Sequence, residues 1–112
     1  MSNSPLKIAM IALINEIPYG YVSSYGVIGR ILSDQLQQNV PAKIVGFLLS
    51  SMPAHERSSC CWRRVISKSG HISALKLWEK GYVQAKFLQD EGIEVNEGQV
   101  NMLRYAYEFP KK

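Results

Sequence analysis

The hydrophobic period changes from a helical to a strand-like spacing after Pro53, and this change limits the folds that the sequence can adopt. Before Pro53 the apolar residues recur at helical spacing in three segments. Beyond it, WRRVIS (residues 62–67) reads as a β-strand, SKSG reads as a turn, and HIS (residues 71–73) reads as a returning strand. The pattern therefore predicts three helices followed by a small β-hairpin of the size of a wing.

The first predicted helix has the features of a central core helix. Ser4 can cap it, Pro5 suits its first turn, and Pro18 ends it. Its apolar residues cover a wide arc, which is typical of a helix packed on several sides. At 112 residues and 46% apolar content, we expect a single domain, 1–112, with its core at about residues 5–95.

Two shorter helices follow and form a predicted helix-turn-helix. The second helix is capped by Ser23 or Ser24 and runs to about Leu32, and the third starts near Pro41 and ends at Pro53. The polar segment SDQLQQN reads as the turn between them. With the hairpin, these helices predict a mainly α, winged helix-turn-helix-like fold. Winged helices also bind proteins, so this architecture does not decide the function.

The rest of the chain is predicted to hold one more helix and two extended segments. The helix starts at about residue 77 and terminates at Gly92. Residues 93–95 and 100–107 read as extended. We expect the C-terminal tail, residues 108–112, to be flexible.

Charge and hydropathy narrow the class of protein. The net charge of +4 favours nucleic acid or another polyanion as a partner, and a basic soluble protein with no special partner is the alternative. No stretch approaches the roughly 20 apolar residues of a membrane span. No basic segment followed by an apolar run opens the chain. We therefore expect a cytoplasmic protein with no membrane association.

The few cysteines and histidines predict neither a disulfide framework nor a metal site. Cys60 and Cys61 are adjacent and have no second pair with which to build a framework. Together with His55 and His71 they do not follow the usual spacing of structural zinc ligands. No metal and no cofactor is expected.

Four segments, taken in order, resemble the motifs of one family, the DNA O6-alkylguanine alkyltransferases. The segment IPYGYVSSYGVIGRIL resembles I-P-x-G-x-V-x-[ST]-Y-G-x-I-A, and PAKIVGFLL resembles the A-R-x-V-G recognition helix. The segment CWRRVISKSGHIS falls where that family carries P-C-H-R-V, and KFLQDEGIEV resembles L-x-x-E-G-[IV]. The resemblance covers roughly residues 6 to 95 and implies the fold of the alkyltransferase C-terminal domain.

The resemblance departs from that family at the nucleophile. Aligning Arg64 with the arginine of P-C-H-R-V puts Trp62 at the position of the reactive cysteine and Arg63 at that of the histidine. This tryptophan makes the alkyltransferase-like proteins, which bind the lesion without transferring the alkyl group, the closest resemblance. It implies a chain with no catalytic residue. If the segment is extended, Cys61 faces away from the side that Trp62 faces.

The resemblance also implies two groups of site residues. Tyr25 is expected to help rotate the target nucleotide out of the duplex, and Lys43 stands where the family's arginine finger enters. Small residues on the third helix allow close docking in the minor groove, and Arg64 is expected mainly to support the turn at the site. The implied DNA-binding residues are Ser24, Tyr25, Gly26, Pro41, Ala42, Lys43, Gly46 and Arg64. The implied lesion pocket consists of Tyr25, Trp62, Arg63 and Leu75.

The leading hypothesis is a monomeric, non-enzymatic sensor of O6-alkylguanine in double-stranded DNA. By the resemblance, it would flip the damaged base against Trp62 and flag it for nucleotide excision repair proteins, in a bacterial cytoplasm or a eukaryotic nucleus. One alternative is an active alkyltransferase that uses Cys61 or Cys60. Another is a winged-helix transcriptional regulator with sequence-specific binding.

Overall fold

The computed structural model describes residues 5–72 and 79–110, which form helices with short strand pairs. The helices are α1 (Pro5–Ile14), α2 (Tyr25–Leu36), α3 (Ala42–Ser51), α4 (Ala54–Arg57), α5 (Glu79–Asp90) and α6 (Met102–Tyr105). The strands are β1 (Ser23–Ser24), β2 (Val65–Ile66), β3 (Val95–Asn96) and β4 (Gln99–Val100), and Trp62–Arg64 form a single 3-10 turn. Among the described helices, none is long and apolar enough to cross a membrane.

The first three helices build the main core, as predicted. Helix α1 contributes Met10 and Ile14, and α2 contributes Ile28 and Leu32, all four fully buried. Helix α3 adds Val45 to the same cluster. Helices α2 and α3 pack on each other and on α1, so the predicted helix-turn-helix on a central first helix is confirmed.

The turn between α2 and α3 is shorter than predicted. Ser24 caps α2, since its Oγ accepts a hydrogen bond from the Val27 amide at 3.2 Å. The helix continues to Leu36, one turn beyond the predicted end. The Ser33 hydroxyl donates back to its own helix and accepts from the Val40 amide at 2.8 Å. The polar residues of SDQL therefore belong to the solvent face of a helix, and their polarity does not mark its end.

The predicted hairpin between residues 62–67 and 71–73 is wrong. Trp62–Arg64 turn as a 3-10 helix, and β2 pairs in parallel with β1, Ser23 opposite Val65 and Ser24 opposite Ile66. Both β2 side chains are 1% exposed. Strand β2 thus lies inside the molecule and pairs with a distant segment, a partner that a local alternation pattern does not reveal.

The hairpin of this fold lies instead near the C-terminus. Strand β3 pairs antiparallel with β4, and His71 makes one isolated bridge to Gln99. A second core forms between this hairpin, β2 and α5. Its buried residues are Val22, Ile66, Ile72, Leu88, Ile93 and Val100.

The C-terminal segment contains a short helix that the sequence pattern does not predict. The predicted extended run 100–107 is wrong over Met102–Tyr105, which form α6 with Asn101 as its side-chain cap. The Tyr107 amide then donates to the Val22 carbonyl at 2.8 Å. Phe109 packs against the main core and contacts the ring of Tyr107 edge to face at 4.9 Å. The flexibility expected for residues 108–112 stays a prediction.

Candidate functional site

The β1–β2 pairing joins the two segments that carry the predicted site. Strand β1 leads directly into α2, and β2 directly follows the 3-10 turn of Trp62. Tyr25, the first residue of α2, and Trp62 are both half-buried and both pack against the main core. The pairing therefore anchors the start of α2 and the Trp62 turn on one short parallel ladder.

Trp62 is flanked by two guanidinium groups. The Cζ of Arg63 lies 4.9 Å from the centroid of the indole, and that of Arg57 lies 5.7 Å from it. Both distances fall within the range of cation–π attraction. Arg63 also lies 5.0 Å from the ring of Phe87 on α5, so its guanidinium contacts two aromatic rings.

The backbone of the Trp62 turn is held by a buried amide. Gln84 of α5 is 2% exposed, and its Nε2 donates to the carbonyls of Arg63 at 3.0 Å and Val65 at 3.2 Å. Because a buried side-chain amide without partners is unfavourable, these two bonds fix the turn against α5. Sequence reasoning missed Gln84, since a glutamine in a helical pattern reads as a solvent-facing residue.

Arg64 serves the structure of the turn. Its Nε and Nη2 donate to the carboxylate of Glu91, with a shortest distance of 2.8 Å, and its Nη1 donates to the Ile17 carbonyl at 2.9 Å. The two charged side chains are 13% and 4% exposed. Burial opposes the charge of Arg64, but its hydrogen bonds and attraction to Glu91 outweigh burial and raise the pKa of the guanidinium. These contacts favour the supporting role, and the placement of Arg64 among the DNA contacts stays a prediction.

The two cysteines occupy different environments, and neither lies in the extended segment assumed for them. Cys60 is 5% exposed and belongs to the main core. Burial, followed by repulsion from Cys61, raises the pKa of its thiol from 9.0 to about 11. Cys61 is half-buried, and its Sγ accepts a hydrogen bond from Arg64 Nη1 at 3.4 Å. Each thiol is thus engaged, one by the core and the other by Arg64.

Helix α3 presents a largely apolar outer face. Ala42 and Lys43 are exposed, and Gly46 is half-buried with open space where a side chain would begin. Pro41, at the N-cap, makes no side-chain hydrogen bond to the helix. Ala42 and Lys43, two of the predicted docking residues, therefore lie exposed in the first turn of α3, one turn before Gly46.

Two large apolar side chains on α3 were not recognised as surface residues. Phe47 is 65% exposed, and Ile44, which the sequence pattern assigns to the inner stripe, is 38% exposed. The buried residues of α3 are Val45 and Leu49. This i, i+4 pair alone would have placed Phe47 on the opposite face of the helix. Arg57, which lies beside Trp62, was also missed, because it precedes Trp62 by five positions and belongs to a separate helix, α4. Leu75 lies outside the described residues.

Known proteins resemble this chain in sequence and in fold. It is 35% identical over 102 residues to the DNA base-flipping protein of Vibrio parahaemolyticus, a match that covers 90% of this chain and 94% of that protein. It is 31% identical over 96 residues to alkyltransferase-like protein 1 of Schizosaccharomyces pombe, covering 86% and 82%. The crystal structure of S. pombe Atl1 in complex with damaged DNA containing O6-carboxymethylguanine matches with a TM-score of 0.79 at 26% identity, over 96% of this chain and 99% of that one. No protein-family model matches the chain.

These matches extend over nearly the whole chain and over the fold as well as the sequence. They define an alkyltransferase-like fold and confirm the predicted fold class. The chain belongs to the alkyltransferase-like family.

Proposed function

We propose that this protein binds O6-alkylguanine in duplex DNA, holds the flipped base against Trp62, and transfers no alkyl group. The observation that carries the proposal is the half-buried indole of Trp62 at the aligned position of the reactive cysteine, with both thiols engaged elsewhere. Tyr25 and Arg63 complete the described part of the lesion pocket, and Leu75 is proposed as its further member.

The exposed face of the helix-turn-helix suits close docking in a minor groove. Gly26 on α2 and Gly46 on α3 both have negative φ, and the Cβ of a larger residue would meet no described atom within 4 Å beyond its neighbours and the backbone of its own helix. Nothing in the described fold requires glycine there, so their small size favours contact with an external backbone. Pro41, Ala42 and Lys43, which are exposed, complete the proposed DNA surface, whereas Ser24 is 2% exposed and its hydroxyl caps α2. Minor-groove docking reads little base sequence, which suits a search for damage in any context.

The relatives support a role on damaged DNA. One is named a DNA base-flipping protein, and the S. pombe relative was crystallised with a duplex that contains O6-carboxymethylguanine. Base flipping requires a surface that replaces the lost stacking of the base. The indole of Trp62 can provide that surface, at on the order of 1–3 kcal/mol per stacked base.

The thiols favour binding without chemistry. Alkyl transfer needs a thiolate aimed at the alkyl carbon and a base that generates it. A pKa of about 11 leaves about one Cys60 thiol in ten thousand ionised at pH 7, and the side chain lies in the core. Arg63 stands in place of the histidine and cannot accept a proton. The described residues around Trp62 therefore provide no base that would generate a thiolate there.

The downstream steps of the proposal rest on the family resemblance. We propose that a monomer bound to the lesion recruits nucleotide excision repair proteins, in the bacterial cytoplasm or the eukaryotic nucleus. Expression in an alkylation-sensitive host tests this step, because protection should disappear when the host's excision pathway is deleted. Equal protection with and without that pathway would contradict it.

A titration with fluorescent duplexes tests the proposed site. Matched oligonucleotides with one guanine or one O6-methylguanine measure the lesion preference, and Trp62→Ala should reduce that preference by about 10- to 100-fold, as expected for a lost stacking surface. Trp62→Phe should retain part of the preference. Leu103→Ala, at a side chain that is 100% exposed on α6, serves as a control and should change nothing.

Three results would contradict the proposal. If Trp62→Ala weakens both duplexes equally, the indole supports the fold or general DNA contact and does not form the pocket. If intact mass shows a stoichiometric gain of one methyl group that is lost in Cys60→Ser or Cys61→Ser, the protein is an alkyltransferase. A preference among undamaged sequences without any lesion preference would favour the transcriptional regulator.

A further inference from the structure

Trp62 and the two arginines beside it form a cluster with more positive charge than the fold uses. We call Arg57, Trp62 and Arg63 the Arg–Trp–Arg cluster. The two guanidinium carbons lie 5.7 and 4.9 Å from the indole centroid. The cluster brings together side chains from α4 and from the 3-10 turn, which are adjacent along the chain but are separate elements.

Neither guanidinium is neutralised by a described acidic side chain. Among the side chains that the structure describes, which do not include those of residues 54 and 73–82, the ion pairs join Lys7 to Glu56, Arg64 to Glu91 and Lys86 to Asp90. The nearby carboxylates are thus engaged by other cations. The positive charge of Arg57 and Arg63 remains beside the indole, where cation–π attraction offsets only part of the loss of solvation.

Each of the two arginines also has a buried donor without an acceptor. The Nε atoms of Arg57 and Arg63 are shielded from solvent and have no hydrogen-bond partner in the described part of the chain. Arg57 uses Nη2 to donate to the Met52 carbonyl at 2.7 Å, which holds its side chain in place. The Nη atoms of Arg63 and Nη1 of Arg57 are not among the buried atoms and likewise have no partner in the described part of the chain, so these are the donors that an acceptor from outside the chain can reach.

The side chains of the cluster favour a ligand in which an anionic group is attached to a planar aromatic ring. A guanidinium binds a carboxylate through charge-assisted hydrogen bonds, which are roughly twice as strong as neutral ones. The indole between the two guanidinium groups offers a surface for a planar base. A guanine that carries a carboxylate on its O6 substituent combines both parts in one ligand.

We infer that the Arg–Trp–Arg cluster makes this protein selective for O6-alkylguanines whose substituent is anionic. Arg57 and Arg63 are specificity-determining residues that meet the carboxylate while Trp62 meets the base. The inference rests on the proposed function, because it assumes that the flipped base reaches Trp62. It adds a ranking of substituents: carboxymethyl above neutral groups of the same size.

A matched pair of lesions tests the inference on the unmodified protein. Duplexes with O6-carboxymethylguanine and with O6-carbamoylmethylguanine differ by a charge at nearly constant shape. The expected result is binding of the carboxylate on the order of tenfold tighter than the amide. Affinities within twofold of each other would overturn the inference. If both lesions are still preferred to guanine, the proposed function stands while the charge selectivity fails.

Substitutions then assign the selectivity to the cluster. Arg63→Gln and Arg57→Gln should each bring the carboxylate-to-amide affinity ratio towards one, and the ratio is compared whatever the change in affinity for the amide lesion. Arg63→Lys, which keeps the charge, should retain part of the ratio. Arg104→Gln is the matched control, since Arg104 lies over Tyr105 on α6 and outside the cluster. Its ratio should equal that of the unmodified protein.

A second source of anion, the DNA phosphate, gives a different result. If Arg57 or Arg63 binds a phosphate, its glutamine variant will weaken all duplexes equally and reduce the salt dependence of binding. That outcome would overturn the inference. Thermal unfolding of each variant is measured in parallel, and Arg63→Lys replaces Arg63→Gln in the comparison if the glutamine variant does not fold.

Discussion

Two pairs of glycines divide the molecule into a region that serves the fold and a region that is open to a partner. A Cβ on Gly29 would stand 2.5 Å from the Val40 carbonyl oxygen, and one on Gly70 would stand 2.0 Å from that of Val100. Around Gly26 and Gly46, by contrast, such a Cβ would meet no described atom within 4 Å apart from the adjacent residues and the backbone of its own helix.

The contrast separates two reasons for which a position can hold glycine. Gly29 lets α2 approach the start of α3, and Gly70, at a φ of +89°, lets its turn pass against β4. These glycines are needed before any ligand arrives. The open pair weakens its helices, since glycine has a low helix propensity, and within the described structure it gives nothing in return. Substitutions at the two pairs should therefore act on different measurements.

The largest effect is expected at Gly70. Gly70→Ala combines a left-handed backbone with overpacking against a backbone carbonyl, and it should lower the free energy of unfolding by on the order of 2–5 kcal/mol. Urea unfolding followed by circular dichroism measures this loss. A variant that unfolds within 1 kcal/mol of the original protein would show that the turn rearranges easily and would weaken the contrast.

The next prediction concerns the contribution of Cys60 to fold stability, which should depend on pH. Its pKa in the folded protein is raised from 9.0 to about 11, so the folded form binds more protons than the unfolded form between these values. The stability associated with the neutral thiol is present below pH 9 and is lost as the pH rises from 9 to 11. The difference in unfolding free energy between the original protein and Cys60→Ala should shrink over this range. A constant difference would place the thiol outside the core.

At Gly46 we expect two smaller effects of opposite sign, a gain in fold stability and a loss of affinity for DNA. Gly46→Ala should stabilise the fold by about 0.5–1 kcal/mol through helix propensity. It should also weaken DNA binding, by on the order of tenfold, because the new methyl group occupies the space proposed for the DNA backbone. Thermal unfolding and duplex titration measure the two effects on one sample. Gly29→Ala is the matched control, since it should destabilise the fold instead.

The smallest effect is expected at Lys43, on the open face. Lys43→Arg should raise the lesion preference by a few-fold, because a planar guanidinium stacks and donates more effectively than an ammonium group. Fluorescence of 2-aminopurine opposite or beside the lesion reports base extrusion directly. An unchanged signal would indicate that lysine already fills the space left by the flipped base, or that α3 does not insert a side chain there.

The sequence was sufficient for the parts of the fold that depend on local pattern. Helical periodicity predicted α1 and α3 within a few residues, and Ser24 was correctly named as a candidate cap of α2. The family resemblance, carried by motifs in order, predicted the fold class. The hairpin failed because its placement depended on which strand Val65 and Ile66 would pair with, and their partner, β1, is distant in the chain.

The site was predictable in its residues and not in its contacts. Trp62 and Arg63 were named from the alignment. Three contacts were not predicted: Arg64 with Glu91, Gln84 with the backbone of the turn, and Arg57 with the indole. Each of them depends on how separate elements pack against one another. A one-dimensional pattern records side-chain type and spacing, and it does not record which donors are used inside the fold and which remain free.

The parallel ladder between β1 and β2 also sets an order of assembly. Its two strands close a long loop, and loop closure carries an entropic penalty that local helix formation avoids. The helix-turn-helix can therefore form early from nearby contacts, whereas the proposed lesion pocket is completed only when this distant contact is made. Amide hydrogen exchange at Val65 and Ile66 would follow that step. A fragment that ends before β2 would retain helices and lack the means to recognise a lesion.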